Sequence, residues 1–101
     1  MIIYNVTINI EEDIEQDWLD WMKAVHIPQV METGFFTGHN VYKIISSPME
    51  DDGVSYCVQY FCDKLEDYET YHNEYAEELQ KLHNQKFGGK FTAVRTILRE
   101  V

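Results

Sequence analysis

Long apolar runs are missing from this sequence. No stretch approaches the roughly 20 consecutive apolar residues that a membrane-spanning helix needs, so an integral membrane protein is excluded. Basic residues are scarce: 8 Lys and Arg stand against 18 Asp and Glu, a formal net charge of −10. The deficit is uneven, because residues 1–80 carry 17 acids and 3 bases whereas residues 81–101 carry 5 bases and 1 acid. A field of that sign repels phosphate backbones and anionic headgroups, so neither nucleic acid nor a membrane surface is expected as a partner. Its plain use is solubility. No basic n-region followed by an apolar h-region opens the sequence, so no secretory signal is expected.

Cysteine is limited to Cys57 and Cys62. Five residues apart in one strand, they would lie roughly 16 Å from each other and point to opposite faces. A disulfide needs Cα atoms within about 7 Å, so these two do not pair. Free thiols suit a reducing compartment, and a cytoplasmic location is expected. Metal-binding spacings are absent too: there is no Cys-x-x-Cys and no His-x-x-x-His, so no metal and no cofactor is expected. Glu11-Glu12-Asp13 occupies the place where a phosphate loop would need glycines and a base. No Gly-x-Ser-x-Gly elbow occurs.

What is present is a globular composition. The 101 residues are 45% hydrophobic and 14% aromatic, enough for one domain spanning residues 1–101 and too few for two. Ile2 to Ile10 is rich in β-branched residues and reads as a strand. Asp13 and Gln16 are placed for a capping box. Ile14, Trp18, Trp21, Met22 and Val25 then repeat at helical spacing to about His26, where Pro28 should kink the chain before a turn at Thr33-Gly34. Phe35 to Ser47 reads as a second strand with Gly38 as a bulge, Pro48 to Gly53 as an acidic turn, and Val54 to Cys62 as a third strand. Leu65, Tyr68, His72, Tyr75, Leu79 and Leu82 mark a longer helix to about Lys86. Gly88-Gly89 breaks it, and Phe91 to Val101 is the last strand.

The order βαββαβ is the α+β, ferredoxin-like split unit. Right-handed crossovers place both helices on one face of a four-stranded antiparallel sheet. Large apolar residues nevertheless alternate onto both faces: Tyr56, Val58 and Tyr60 oppose Cys57 and Phe61, and Ala93 and Ile97 oppose Val94 and Leu98. Two helices cannot cover both faces, so a second copy packed sheet to sheet, a homodimer, is expected. RNA-recognition motifs share this topology, but the basic and glycine positions of their signature are absent.

Several segments carry a resemblance: Trp18-Leu-Asp-Trp21-Met22, His26-Ile27-Pro28, Met31-Glu-Thr33-Gly34-Phe35, Gln59-Tyr60-Phe61, Tyr68-Glu-Thr-Tyr71 and Arg95-Thr96. Together they resemble a bacterial family, largely of Bacteroidetes, catalogued as a domain of unknown function. That family looks like a branch of the dimeric α+β barrels, whose relatives include antibiotic-biosynthesis and haem-degrading monooxygenases. The resemblance implies a fold and a dimer and brings no established activity. The second helix lacks the Trp that haem-degrading relatives carry there, which argues against that chemistry.

Two histidines are the candidate catalytic groups. His26, at the irregular end of the Trp helix, is either a general base or ligand contact, or a polar cap on the helix carbonyls. His72, central in the apolar stripe of the second helix beside Tyr68 and Tyr75, is either a pocket imidazole or a hydrogen-bonded core residue. His83 lies eleven residues on, roughly 16 Å along the axis, too far to share a metal with His72. Asn5, Trp21, Gln59, Tyr68, Tyr71 and Arg95 are the candidate ligand-binding residues. Arg95 suits a carboxylate, whether from a ligand, from this chain or from its twin. The function expected is a homodimeric domain that binds a small apolar molecule or serves a structural role. The alternative is a cofactor-independent, monooxygenase-like or isomerase-like enzyme using a pocket between helices and sheet. An enclosed cavity touching either histidine, with an Asn or Arg across from it, would favour the enzyme.

Overall fold

The computed structural model describes residues 1–48 and 52–101. Four strands, β1 (Ile2–Ile10), β2 (Gly38–Ile44), β3 (Val54–Cys62) and β4 (Phe91–Arg99), form one antiparallel sheet in the order β2-β3-β1-β4. Two helical runs connect them, giving the α+β, ferredoxin-like arrangement that the element order implied. The central pair pairs without interruption, Val6 opposite Val58 on one side and Arg95 on the other. Strict alternation along β1 sends Ile2, Tyr4, Val6, Ile8 and Ile10 to the helix side, and all five are buried.

The first helical run does not stop at His26. A 3-10 turn (Glu12–Ile14) leads into α1 (Glu15–Trp21), then a π turn (Met22–His26), then α2 (Ile27–Glu32). The Ile27 amide bonds the carbonyl of Met22, five residues back, and Pro28 follows at the start of α2. A proline lacks the N–H that a continuous α-helix would use there, and widening the preceding turn lets the helix carry on. The expected capping box is absent: Gln16 Nε2 bonds Asp20 Oδ1 at 2.8 Å instead. The second run has the same device, a π turn (His72–Ala76) between α3 (Leu65–Tyr71) and α4 (Glu77–Phe87).

Both insertions shift the buried stripe. On the first run it passes through Trp18, Met22, Ile27 and Val30, leaving Val25 outside. On the second it passes through Tyr71, Ala76, His83 and Phe87, so Tyr75 is exposed and His72 lies in solvent. The expectation that His72 sits in the core fails, because it assumed 3.6 residues per turn throughout.

The strand ends are shorter than read. β2 starts at Gly38, which pairs with Phe61 in regular register and forms no bulge, and Ile45 is outside it and exposed. The acidic turn from Pro48 to Gly53 falls partly on residues 49–51, outside the described residues. Gly53 has φ +81, and a Cβ there would collide with the Ile10 carbonyl oxygen, so glycine is required. Tyr56, its phenol pushed up to about 12 by burial and by Glu15, donates to Glu15 Oε2 at 2.6 Å; Lys43 reaches the same oxygen at 2.9 Å, tying β2, β3 and α1 together.

The face away from the helices has a mixed character. Val94 and Tyr42 are well exposed there, and Phe61, Ile3 and Leu98 align across three strands. Between them runs a polar strip. Asn5 Oδ1 accepts from the Cys57 thiol at 2.6 Å and from Gln59 Nε2 at 3.2 Å, and Asn9 Nδ2 donates to Ser55 Oγ at 3.0 Å. Large apolar residues do reach this face, as their alternation required, but short polar residues separate them.

Candidate functional site

Between the helix-side face of the sheet and the two helical runs lies a cavity. Its empty space, mouth included, is about 430 Å³, and its enclosed part is narrow, so a ligand must be slim or must displace side chains. Tyr4, Val6 and Ile8 of β1, Val58 and Tyr60 of β3 and Ala93 and Arg95 of β4 line the sheet side. The helices contribute Met22, His26, Val30, Tyr71, Gln80 and His83. Each π turn borders it: His26 closes the first, and Tyr71 immediately precedes the second.

The two imidazoles are neighbours, their ring centroids 5.7 Å apart. Trp21 backs both, stacked on His26 at 5.4 Å and tilted against His83 at 5.8 Å. His83 is buried, and its Nε2 accepts the Trp18 indole N–H at 2.9 Å. A neutral ring with an accepting Nε2 carries its proton on Nδ1, which fixes the tautomer. Burial holds His26 down to about 4, with the charge of His83 and then Arg95 adding to it. His83 is likewise held down to about 4, by burial first and by Arg95 second. Both are therefore neutral at pH 7. Burial pushes the phenols of Tyr60 and Tyr71 up, and both stay protonated. Arg95 is the one lining residue, among the described residues, with a formal charge at neutral pH.

Two polar atoms on residues of the lining have no hydrogen-bond partner among the described residues: His26 Nδ1 and Tyr60 Oη, both fully buried. Unpaired buried polar groups are rare in folded proteins, and each calls for a reason.

Of the eight candidates read from sequence, the structure brings His26, Tyr71 and Arg95 to this cavity. Trp21 stands one layer behind. Tyr68 packs on Tyr4 at 5.1 Å, off the lining. His72 is in solvent, 3.4 Å from the Tyr68 hydroxyl, so it cannot serve this pocket. Asn5 and Gln59 lie on the opposite face of the sheet, because odd positions of β1 and β3 point away from the helices. Arg95 is exposed rather than buried, since β4 is an edge strand, and it forms no ion pair within the chain among the described residues. Missed were His83, Tyr60, Tyr4 and Gln80. A signal for His83 existed: Ala76, Leu79, His83 and Phe87 are spaced three and four apart, a second stripe beside the obvious one.

No helix among the described residues is long and apolar enough to cross a membrane. The chain is similar in fold to an ethyl tert-butyl ether d (ethd) family protein from Bacillus halodurans c-125, at TM-score 0.68 and 18% identity, covering 100% of both chains. It is also similar to an antibiotic biosynthesis monooxygenase, at TM-score 0.66 and 9% identity, over 100% of this chain and 99% of that one. A dimeric ferredoxin-like protein from an uncultured marine organism matches at TM-score 0.63 and 13% identity, over 99% and 97%. At such identities the likeness establishes the fold alone. No curated protein matches in sequence. The family profile of a domain of unknown function, DUF4286, matches residues 1–101 from end to end, and the chain belongs to that family.

Proposed function

We propose that this chain acts as one domain, residues 1–101, in a cytoplasmic homodimer that binds a small, largely apolar molecule between sheet and helices. The observation that carries the binding reading is the pair of buried polar atoms without partners among the described residues, His26 Nδ1 and Tyr60 Oη, on residues that line a cavity of mixed apolar and polar walls. Such atoms acquire partners when a ligand enters, and the desolvation they already bear becomes binding energy. The dimer reading rests on the exposed apolar residues of the open sheet face. The polar strip between them bonds laterally to itself, so a second copy can cover it without stranding those groups. A dimeric neighbour of the same fold supports it. Free thiols at Cys57 and Cys62 fit a reducing compartment.

A second reading is a cofactor-independent, isomerase-like or monooxygenase-like enzyme in the same pocket. A neutral His26 imidazole whose Nδ1 has no partner among the described residues, on a cavity that also carries Arg95, is in the form a general base needs, although at about 4 it is a weak one that an anionic ligand would have to strengthen. Native mass spectrometry of protein prepared from its own host tests the first reading. The expected result is twice the 12.0 kDa chain mass with a small molecule retained. Filling the slot by Ala93→Phe should expel the molecule and leave the dimer. A bare monomer that binds nothing would overturn both parts.

A further inference from the structure

The chemistry of the cavity's ligand can be narrowed from the groups left unmatched around it. Arg95 is a cation without an internal ion pair, among the described residues, in a chain with more than twice as many acids as bases. Most cations of this chain lack an ion pair among the described residues, but Arg95 alone of them lines the cavity, where its guanidinium is available to an anion from outside. Tyr60 is 2% exposed and its hydroxyl has no acceptor among the described residues. In the sheet register Arg95 stands beside Val6, and Tyr60 stands beside Tyr4, two residues along and two strands across. Strand rise and spacing put their Cα atoms about 12 Å apart, within reach of two long side chains sharing one short ligand. The floor between them is Val6 and Val58, and Met22 and Val30 face it from the helix.

Resting on the pocket reading above, we infer that the cavity takes a short monocarboxylate that carries an oxo group and a small alkyl end. The carboxylate pairs with Arg95, the oxo oxygen accepts from the Tyr60 hydroxyl, and the alkyl end lies against Val30 and Met22. His26 Nδ1 is the remaining polar partner for the ligand's oxygen functions. Size and charge exclude neighbouring classes. A single guanidinium amid neutral imidazoles and phenols matches one negative charge, and a net −10 field disfavours phosphates and other polyanions. The enclosed part of the cavity is too narrow for a long acyl chain, and a short acid enters with its carboxylate in the mouth beside the exposed Arg95.

Three probes test this on the intact chain at pH 7, by NMR titration of the amide and imidazole signals of the cavity. They are 4-methyl-2-oxopentanoate, 4-methylpentanoate without the oxo group, and 4-methylpentan-2-one without the carboxylate. The oxo acid should bind at least about tenfold more tightly than either of the others. Arg95→Gln, on an exposed edge-strand position, should weaken both acids about tenfold and leave the ketone unchanged. Tyr60→Phe should weaken the oxo acid and the ketone and spare 4-methylpentanoate. Equal binding of ketone and oxo acid, or acids indifferent to Arg95→Gln, would overturn the carboxylate assignment while the pocket reading stands. If none of the probes moves a cavity signal while native mass spectrometry still shows a retained molecule, the oxo-acid assignment falls and the pocket reading stands; if neither experiment shows binding, both fall.

Discussion

The indole of Trp18 and the imidazole of His83, 65 positions apart in sequence, meet in a buried hydrogen bond of 2.9 Å. It joins the two helical runs across the rear of the cavity and decides which nitrogen of His83 holds the proton. Trp18→Phe removes the donor and some ring volume, and should cost about 2–3 kcal/mol in urea unfolding. Nitrogen-15 spectra of the imidazole should then show His83 losing its single tautomer. An unchanged tautomer would mean that the indole does not set it.

Acid should destabilise the fold in a defined window. His26 and His83 are held near 4 in the folded chain, below the ordinary value of 6.5. The unfolded chain therefore takes up protons first as pH falls. Stability is complete above about pH 6.5, declines between 6.5 and 4, and levels off for these groups below 4. Each imidazole contributes a slope of at most about 1.4 kcal/mol per pH unit. Denaturant midpoints measured from pH 8 to pH 4 should trace this decline, and His83→Gln should flatten part of it.

Phe61 and Leu98 share the open face of the sheet, on either side of Ile3. Placing Glu at either position should turn a particle of twice 12.0 kDa into one of 12.0 kDa by light scattering, with the far-ultraviolet spectrum retained. A wild-type monomer at micromolar concentration would refute the dimer outright.

Gly53→Ala should destabilise by more than the usual cost of about 1 kcal/mol for filling a left-handed position, because the added methyl group meets the Ile10 carbonyl. Gly89 offers the control: its φ is +82 and no atom lies within 4 Å of a Cβ there. Alanine at 89 should therefore cost less than alanine at 53 in the same thermal unfolding measurement.

The thiols should be slow to react. Cys62 is buried on the helix side, and Cys57, on the other face, spends its proton on Asn5 and is raised by burial. Mild oxidant should change neither mass nor oligomeric state, whereas a rapidly formed covalent dimer would show an open thiol.

The sheet was legible because alternation along a strand is a rigid rule: Tyr56, Val58 and Tyr60 fall on one side and Cys57 and Phe61 on the other, as their parity demands. The same rule separates Asn5 and Gln59 from Arg95, but only once the pairing of all strands is known. Helices were legible in position and not in facing. Counting uniform turns puts His72 in the core, and each π turn adds a residue that such counting cannot see. His26, by contrast, was recoverable because Pro28 advertises an irregularity at that point. The unpaired state of Tyr60 Oη has no signature in sequence, since it depends on what fails to come near.

The wide turn at His72–Ala76 has an angular consequence. At 100° per residue, twelve uninterrupted steps from Tyr71 would leave residue 83 about 120° around the axis, turned toward solvent. With one residue absorbed by the wide turn, eleven effective steps return it to within about 20° of Tyr71. The cavity owns its second imidazole through that phase correction alone. A chain shortened by one residue between 72 and 76 would have a regular helix and still present His83 to the cavity, whereas the full-length helix forced into regular turns would bury Tyr75 and Leu82 in the places of Ala76 and His83 and close the slot with hydrocarbon. At this chain length helical regularity and a polar cavity are alternatives, and the wide turn selects between them.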